Sequence, residues 1–327
     1  MEAILVGFGF IGRSFLSALK EKIRVIEKTF PNFKLTGAAN KNGYVFDENG
    51  LDLAKLSGLR DLIQYPGRFI REPAVELIER SGADVLIEAT PTNIVDGEPG
   101  LTHIVKAVEN GMDVVTSNKG PFVVAFGKIM KLAEKRGVEV LYEATVGGAI
   151  PIFSLARNCL RGSRITRVQG ILNGTTNYIL SKMHFEEIGF EEALREAQEK
   201  GLAETDPSYD VDGIDAGCKI VILANALLGK NITIRDVKIR GIREVTMEEI
   251  IEAKRKGMAL KLVAEAGEEF KVETKPIPLD SSLCVHGSLN AVRFETDLAG
   301  EIIVIGHGAG RETVAAMIND LLSLRPR

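Results

Sequence analysis

The stretch Gly201–Lys219, GLAETDPSYDVDGIDAGCK, carries five carboxylates (Glu204, Asp206, Asp210, Asp212 and Asp215) and closes on Lys219. Like charges crowded into a segment punctuated by Gly and Pro repel one another, so something positive belongs among them. Either solvent and Lys219 supply it, or a cationic ligand such as an amino acid's ammonium group does. Asp215 and Lys219 are four residues apart on what reads as a helix, which puts both on one face. As an exposed pair they contribute only ~0.3–0.5 kcal/mol. As a site, the carboxylates hold a cationic group such as an ammonium. Calcium is the other chemistry to weigh. Ser208, Asp210, Asp212 and Gly213 occupy the first, third, fifth and sixth places of a calcium loop, but the twelfth, which needs a bidentate Glu, is Lys219. A cation there repels calcium, which removes that reading.

A second constellation lies at the start of the chain. Ala3–Val6 reads as a short apolar strand, followed at once by Gly7-Phe8-Gly9-Phe10-Ile11-Gly12 and then by helical periodicity from Arg13 to about Lys28. Strand, glycine-rich turn and helix in that order are the context in which a Gly-x-Gly-x-x-Gly motif binds a dinucleotide. Gly7 permits the tight turn, Gly9 lets the backbone approach a pyrophosphate, and Gly12 lets helix and strand pack closely. The pyrophosphate then rests on the helix N-terminus. The second strand, Leu35–Ala39, ends in Asn40-Lys41-Asn42, without the acidic residue that usually meets the ribose hydroxyls of NAD. Lys41 is either a contact to a 2′-phosphate or a solvated loop lysine, and the reading leans to NADP or to use of both cofactors.

The elements that must position these residues alternate. Asp84–Ala89 is a strand ending in Thr90-Pro91-Thr92, and Leu101–Asn110 a helix closed by Gly111. Asp113–Thr116 is a strand leading into Ser117-Asn118-Lys119-Gly120-Pro121, Val123–Arg136 a helix ending at Gly137, and Val138–Tyr142 a strand. Such alternation means a parallel sheet, with ligands outside the carboxyl ends of its strands, where Thr90 and Lys119 fall. Beyond Glu143-Ala-Thr-Val-Gly-Gly-Ala-Ile-Pro151, either a crossover or a run of carbonyls for a monovalent cation, Arg164–Leu172 reads as a strand. Asn173-Gly-Thr-Thr-Asn177 precedes a helix from Tyr178, with Thr175 and Thr176 as N-caps or hydroxyl donors to a carboxylate. Helices Phe190–Lys200 and Ile214–Leu228 flank the acidic loop. Strands LVAEAG, EFKVETKPI, LCVHG, NAVRFET and EIIVIG follow from Lys261 on. Gly306–Gly310 then opens a last helix, Glu312–Leu324, expected to pack back on the nucleotide-binding half and to bring that glycine cluster near the cofactor.

Bulk properties narrow the partners. The chain has 327 residues, 45% hydrophobic and 26% charged, enough for two or three domains with an ordinary globular balance. A net charge of −4 without a long basic run gives no reason to expect nucleic acid or an anionic membrane. No apolar run approaches the ~18 residues of a membrane span, and the N-terminus reads as a strand without a signal peptide's basic leader. Cys159, Cys218 and Cys284 are scattered without metal or redox spacing and fit a reducing cytoplasm. The four histidines form no pair at helical spacing, so a zinc enzyme is not expected.

With these residues placed, the chain resembles homoserine dehydrogenase along essentially its whole length. The resemblance is carried, in order, by Gly7–Gly12, Ser117-Asn118-Lys119, Glu143-Ala-Thr-Val-Gly147, Asn173-Gly-Thr-Thr-Asn177, Asp210-Val-Asp-Gly-Ile-Asp-Ala-Gly-Cys-Lys219 and Asn290-Ala-Val-Arg-Phe-Glu-Thr-Asp297. It implies an α/β fold: an N-terminal Rossmann-type doubly wound parallel sheet with an α+β substrate and dimerisation domain. Residues 1–139 with 306–327 would bind the dinucleotide, 150–282 the substrate, and 140–149 with 283–305 would form the dimerisation region of a homodimer. The implied activity is the NAD(P)-dependent interconversion of L-homoserine and L-aspartate 4-semialdehyde, part of threonine, methionine and isoleucine biosynthesis.

By the same resemblance Lys219 is the proton donor and acceptor, Glu204 and Asp215 hold the substrate, and Thr176 contacts it. Lys119 sits between cofactor and substrate, so that Lys219, Lys119 and Asp215 form the catalytic set. Gly7, Gly9, Phe10, Ile11, Gly12, Lys41, Thr90, Ser117, Lys119, Gly201 and Gly310 fall to the cofactor, and Glu143, Val146, Gly148 and Ile150 to a sodium ion. The family often has a less bulky residue where this chain has His307. Because the chain stops after the last helix, feedback control through an appended domain is not expected. A free lysine is almost wholly protonated at neutral pH and a poor base. Burial and nearby positive charge favour its neutral form while carboxylates oppose this, so both direct transfer and a relay through water stay open. Two rivals remain: a sensor of the same fold without chemistry, against which the intact Glu204, Asp215, Lys119 and Lys219 argue, and another amino-acid or semialdehyde dehydrogenase. A thioester mechanism needs a nucleophilic Cys with a His partner, and Cys218 lies ~100° around the helix from Lys219.

Overall fold

The computed structural model describes residues 1–308 and 310–325. Ala309, one position of the glycine cluster, and the last two residues of the 306–327 segment lie outside the described residues. The chain divides into two compact units, Met1–Thr145 with Gly310–Arg327, and Val146–Ala309.

In the first unit β1 (Glu2–Val6) leads through the glycine turn into α1 (Phe10–Thr29). Ala3, Ile4, Leu5 and Val6 are all buried, the continuous apolar run of a parallel strand covered on both faces. Then follow β2 (Lys34–Asn40), β3 (Gly43–Phe46), α2 (Leu53–Ser57), β4 (Phe69–Ile70), α3 (Ala74–Arg80), β5 (Val85–Glu88), α4 (Gly100–Glu109), β6 (Asp113–Thr116), α5 (Gly120–Arg136) and β7 (Val140–Leu141). The sheet order is β4-β3-β2-β1-β5-β6-β7. β1 pairs in parallel with both β2 and β5, so the strand order reverses at β1, the switch point at which open α/β sheets bind ligands. At the far edge β3 runs antiparallel to both β2 and β4, a departure from the all-parallel expectation. Only Lys41 and Asn42 join β2 to β3, enough for a hairpin and far too little for a crossover. Gly111 (φ 77°) and Gly137 (φ 68°) follow α4 and α5 in the left-handed conformation that favours glycine.

The second unit contains α6 (Ile152–Cys159), β8 (Ile165–Ile171), α7 (Gly174–Glu186), α8 (Phe190–Glu199), α9 (Ser208–Val211), α10 (Ile214–Leu227), β9 (Lys238–Ile239), α11 (Met247–Arg255), β10 (Met258–Ala266), β11 (Phe270–Pro278), β12 (Leu289–Thr296) and β13 (Glu301–His307). Its sheet runs β13-β12-β8-β10-β11-β9. Helices α7 and α10 pack on β10, α7 also on β12 and α10 also on β8. Residues 289–296 and 301–307 form strands of this sheet.

Two local expectations change. LCVHG (283–287) is no strand, because its backbone closes tight turns: Cys284 N donates to Ser281 O and Val285 N to Leu283 O. α7 starts at Gly174, ahead of Tyr178, and its cap is Asn173, whose side chain accepts from Thr176 N. The last helix, α12 (Arg311–Ser323), packs on α1 within the first unit, with Met317 and Leu321 in one cluster with Leu16 and Leu19. Asp320 Oδ2 accepts from Glu143 N at 2.8 Å.

Candidate functional site

At the carboxyl end of β1 the first unit holds a cavity of about 570 Å³ whose lining includes Gly7, Gly9, Lys41, Arg60, Thr90 and His103. A Cβ on Gly7 (φ 109°) would stand 2.4 Å from the Ala89 carbonyl, so only glycine fits between β1 and β5. A Cβ on Gly9 would meet nothing within 4 Å, so the space beside its backbone is open for a ligand to approach. Gly9 is also the N-cap of α1, with no capping side chain and no acidic residue in the first turn, which leaves the positive end of the helix uncompensated. These features fit a dinucleotide. Phe10 is largely exposed and Ile11 packs on the core. Beside Lys41 the lining adds Arg60, a second cation without a motif to announce it. It also adds Asp61, whose Oδ1 accepts from Asn40 Nδ2 at 3.2 Å. A carboxylate therefore does reach the end of β2, from the cap of a later 3-10 helix.

Glu88, at the end of β5, is 0% exposed, and its carboxylate organises the neighbouring strand ends. Oε1 accepts from the backbone and the hydroxyl of Thr90, and Oε2 from Thr116 Oγ1 at 3.0 Å. His103 Nδ1 stands 3.7 Å away. Asn118 Nδ2 donates to Thr90 Oγ1 at 3.1 Å, while Asn118 Oδ1 accepts from Gly120 N at 3.0 Å. These bonds shape the turn that carries the half-buried Ser117 and Lys119, and they start α5 at Gly120 with Lys119 as its N-cap.

In the second unit Asp215 and Lys219 do share one face of α10, and that face is buried. Asp215 is 4% and Lys219 8% exposed, so the exposed-pair reading fails. Lys219 Nζ lies 2.6 Å from Asp215 Oδ2 and donates to Leu172 O at 2.6 Å. Asn173 Nδ2 donates to Asp210 Oδ1 at 2.7 Å and to Asp215 Oδ2 at 3.0 Å. Burial and the charge of Asp215 push the Asp210 carboxyl above its ordinary range, against the Asn173 hydrogen bond and Lys219. The outer carboxylates are balanced by a distant cation: Arg243 pairs with Asp212 and donates to Ser208 Oγ at 2.8 Å.

Comparisons with known proteins give the family. The profile described as "Homoserine dehydrogenase" matches residues 151–322, and that described as "Homoserine dehydrogenase, NAD binding domain" matches residues 7–143. A homoserine dehydrogenase of Methanocaldococcus jannaschii is 42% identical over 99% of this chain and 98% of its own length. The chain belongs to the homoserine dehydrogenase family. An NAD(+)-dependent homoserine dehydrogenase of Pseudomonas canavaninivorans is 37% identical over 98% of this chain and 95% of its own. A crystal structure from Archaeoglobus fulgidus, provisionally named homoserine dehydrogenase, superposes with a TM-score of 0.91 at 40% identity over 98% of both chains. A hyperthermophilic archaeal homoserine dehydrogenase mutant in complex with NADPH gives a TM-score of 0.83 at 28% identity over 99% of this chain and 98% of its own. Homoserine dehydrogenases are oxidoreductases acting on homoserine with NAD(P).

The remaining residues expected at the site lie in both units. Glu204 is exposed, its loop held by Gln198 Nε2 donating to the Glu204 carbonyl at 3.0 Å. Thr176 is buried and its hydroxyl donates to Asn173 O, while Thr175 Oγ1 donates to Leu202 O at 2.7 Å. Gly201 (φ 68°) is exposed in the second unit, and Gly310 (φ 86°) caps α12 in the first. Glu143 is buried in the first unit, whereas Val146, Gly148 and Ile150 are buried in the second. Among the described residues no group of three or more His, Cys, Asp or Glu is placed to hold a metal. No helix among them is long and apolar enough to cross a membrane. The sequence reading assigned no side-chain role to Glu88, Asn173 or Arg243, whose partners Thr116, Asp215 and Asp212 are distant in sequence, or to Arg60.

Proposed function

We propose that Lys219 exchanges the substrate proton in the NAD(P)-linked interconversion of L-homoserine and L-aspartate 4-semialdehyde. The observation that carries this is the buried Lys219–Asp215 pair at 2.6 Å. Oxidation removes a hydride from the carbinol carbon and a proton from its hydroxyl. A bound nicotinamide cofactor would supply the hydride acceptor. Lys219 as the neutral amine takes the proton, directly or through one water, and in reduction the resulting ammonium returns a proton to the aldehyde oxygen. An ammonium has three donors. Two point at Asp215 Oδ2 and Leu172 O, and the third direction is assigned to the substrate oxygen. Asp215 and Glu204 bind the substrate ammonium, Thr176 contacts the substrate, and Lys119 adds positive charge beside the cofactor.

In the cofactor cavity, Lys41 and Arg60 supply two cations for a 2′-phosphate, which favours NADP, while Asp61 offers an acceptor to an unphosphorylated ribose. Dimerisation is assigned to residues 140–149 with 283–305, where β13 lies at the sheet edge beside β12 and leaves Ile305 half exposed. Such an apolar edge is a template for pairing with a second copy. A cytoplasmic location fits Cys159, Cys218 and Cys284, all free thiols.

The test is nicotinamide absorbance with purified protein and L-homoserine, using NAD and NADP separately, for wild type and Lys219→Ala. Turnover by the wild type that collapses in a variant still able to bind homoserine is the expected result. Undiminished turnover by Lys219→Ala overturns the proton role.

A further inference from the structure

Asn173 stands at the junction of β8 and α7, buried, with both amide hydrogens and its carbonyl engaged. Oδ1 accepts from Thr176 N at 2.9 Å and caps α7. Nδ2 spends one hydrogen on Asp210 Oδ1 and the other on Asp215 Oδ2. The Asp215 oxygen that Asn173 holds is the one that pairs with Lys219 Nζ. Lys219 in turn donates to the carbonyl of Leu172, the residue just before Asn173. The bonds close a ring through Leu172, Asn173, Asp215 and Lys219, with Asp210 attached to the same amide.

We propose that Asn173 is a positioning residue for the reaction: its amide holds Asp210 and Asp215 side by side and thereby sets the direction of Lys219 Nζ. This rests on the proton role of Lys219 given above, and Asn173 acts through its neighbours without touching substrate. The residue type follows from the chemistry. Asp210 faces Asp215 and Lys219 of α10 and Asn173 and Thr175 of α7. Two adjacent carboxylates need one group that donates to both while its other end caps a helix. Asn has two donors and an acceptor in one plane. Ser caps a helix comparably but has a single hydrogen to give, and Asp caps as well as Asn while replacing both donors with acceptors.

Those differences separate a cap from a clamp. Asn173→Ser and Asn173→Asp are compared with wild type for thermal unfolding, NADP binding and the pH profile of homoserine turnover. With Asn173→Ser, kcat is expected to fall about 10- to 100-fold through misdirection of Lys219, while NADP affinity and cooperative unfolding are kept. Asn173→Asp is expected to be poorer still at neutral pH. It should recover relative to wild type as pH falls, because a protonated Asp regains one hydrogen to donate. A helix cap predicts the reverse, since the ionised Asp is an excellent cap. Wild-type kcat in Asn173→Ser across the pH range, with Lys219→Ala inactive, overturns the positioning role and leaves the proton role standing. Turnover retained in Lys219→Ala overturns the proton role itself. If Asn173→Asp fails to fold, the kcat of Asn173→Ser decides.

Discussion

Gly12 approaches Gly7 so closely that a Cβ at Gly12 would lie 1.8 Å from the Gly7 carbonyl oxygen. The glycine turn and the first turn of α1 are thus in backbone contact. The three glycines of the motif serve different ends. Gly12 is required by packing, Gly7 by both packing and its positive φ, and Gly9 leaves open space.

The glycines should therefore separate stability from binding. Gly12→Ala is expected to lower stability by about 2 kcal/mol or more, since backbone must move to admit the methyl. Gly9→Ala adds a methyl in open space and should unfold like wild type, yet weaken dinucleotide binding about tenfold, or 1.4 kcal/mol. Chemical denaturation and fluorescence titration with NADPH check the pair. Equal loss of binding and stability in Gly9→Ala would contradict the assignment.

Lys219→Ala should be costly in two ways. Removing one partner of a buried ion pair takes the cation away from Asp215, at about 3 kcal/mol. Loss of the proton-exchanging group should lower kcat by about 10²- to 10⁴-fold. Lys219→Ala combined with Asp215→Asn should regain part of the stability and none of the turnover. Urea unfolding and steady-state kinetics on both variants test this.

Cofactor choice is expected to follow Lys41 and Arg60. Replacing either by Ala should weaken NADP about tenfold, about 1.4 kcal/mol, and change NAD little, because only NADP carries the 2′-phosphate. Competitive titration of the two nucleotides reads the ratio directly. Parallel loss for both would move these cations off the ribose end.

Acid sensitivity should centre on Glu265. Burial raises its carboxyl, but hydrogen bonds from Lys275, Gln169 and Arg167 outweigh that and hold it at about 2, below the ordinary 4.5. With the folded value depressed, the stabilisation is fully present above pH 4.5 and drains away as pH falls toward 2. Glu265→Gln should cost about 2 kcal/mol at neutral pH and flatten the acid limb of the stability profile.

Lys261 should act at the other end of the scale. It is 1% exposed, and burial lowers its ammonium from 10.5 to about 8, although Asn177, Ser181 and His286 surround its Nζ. Between pH 8 and 10.5 the unfolded chain holds a proton that the folded one has lost, so stability should rise with pH across that window. The difference between wild type and Lys261→Met in urea unfolding isolates the effect. A flat difference would show the lysine to be unperturbed.

What was legible beforehand was whatever depends on neighbours along the chain. Strand, glycine turn and helix at Ala3–Lys28 follow from local periodicity and from where glycine alone is permitted. The common face of Asp215 and Lys219 follows from the helical repeat. Local pattern failed at LCVHG, an apolar run that turns on itself through hydrogen bonds of its own backbone. The antiparallel β3 was decided by a two-residue connection whose meaning depends on where β2 ends. The rest required the tertiary structure, since it consists of contacts between residues far apart in sequence: Thr116 with Glu88 across 28 residues, Arg243 with Asp212 across 31, Asn173 with Asp215 across 42. Sequence determined which residues could carry charge or donate hydrogen bonds. Packing alone decided which of them were taken out of water, and a buried polar group must find its partner wherever the fold brings one.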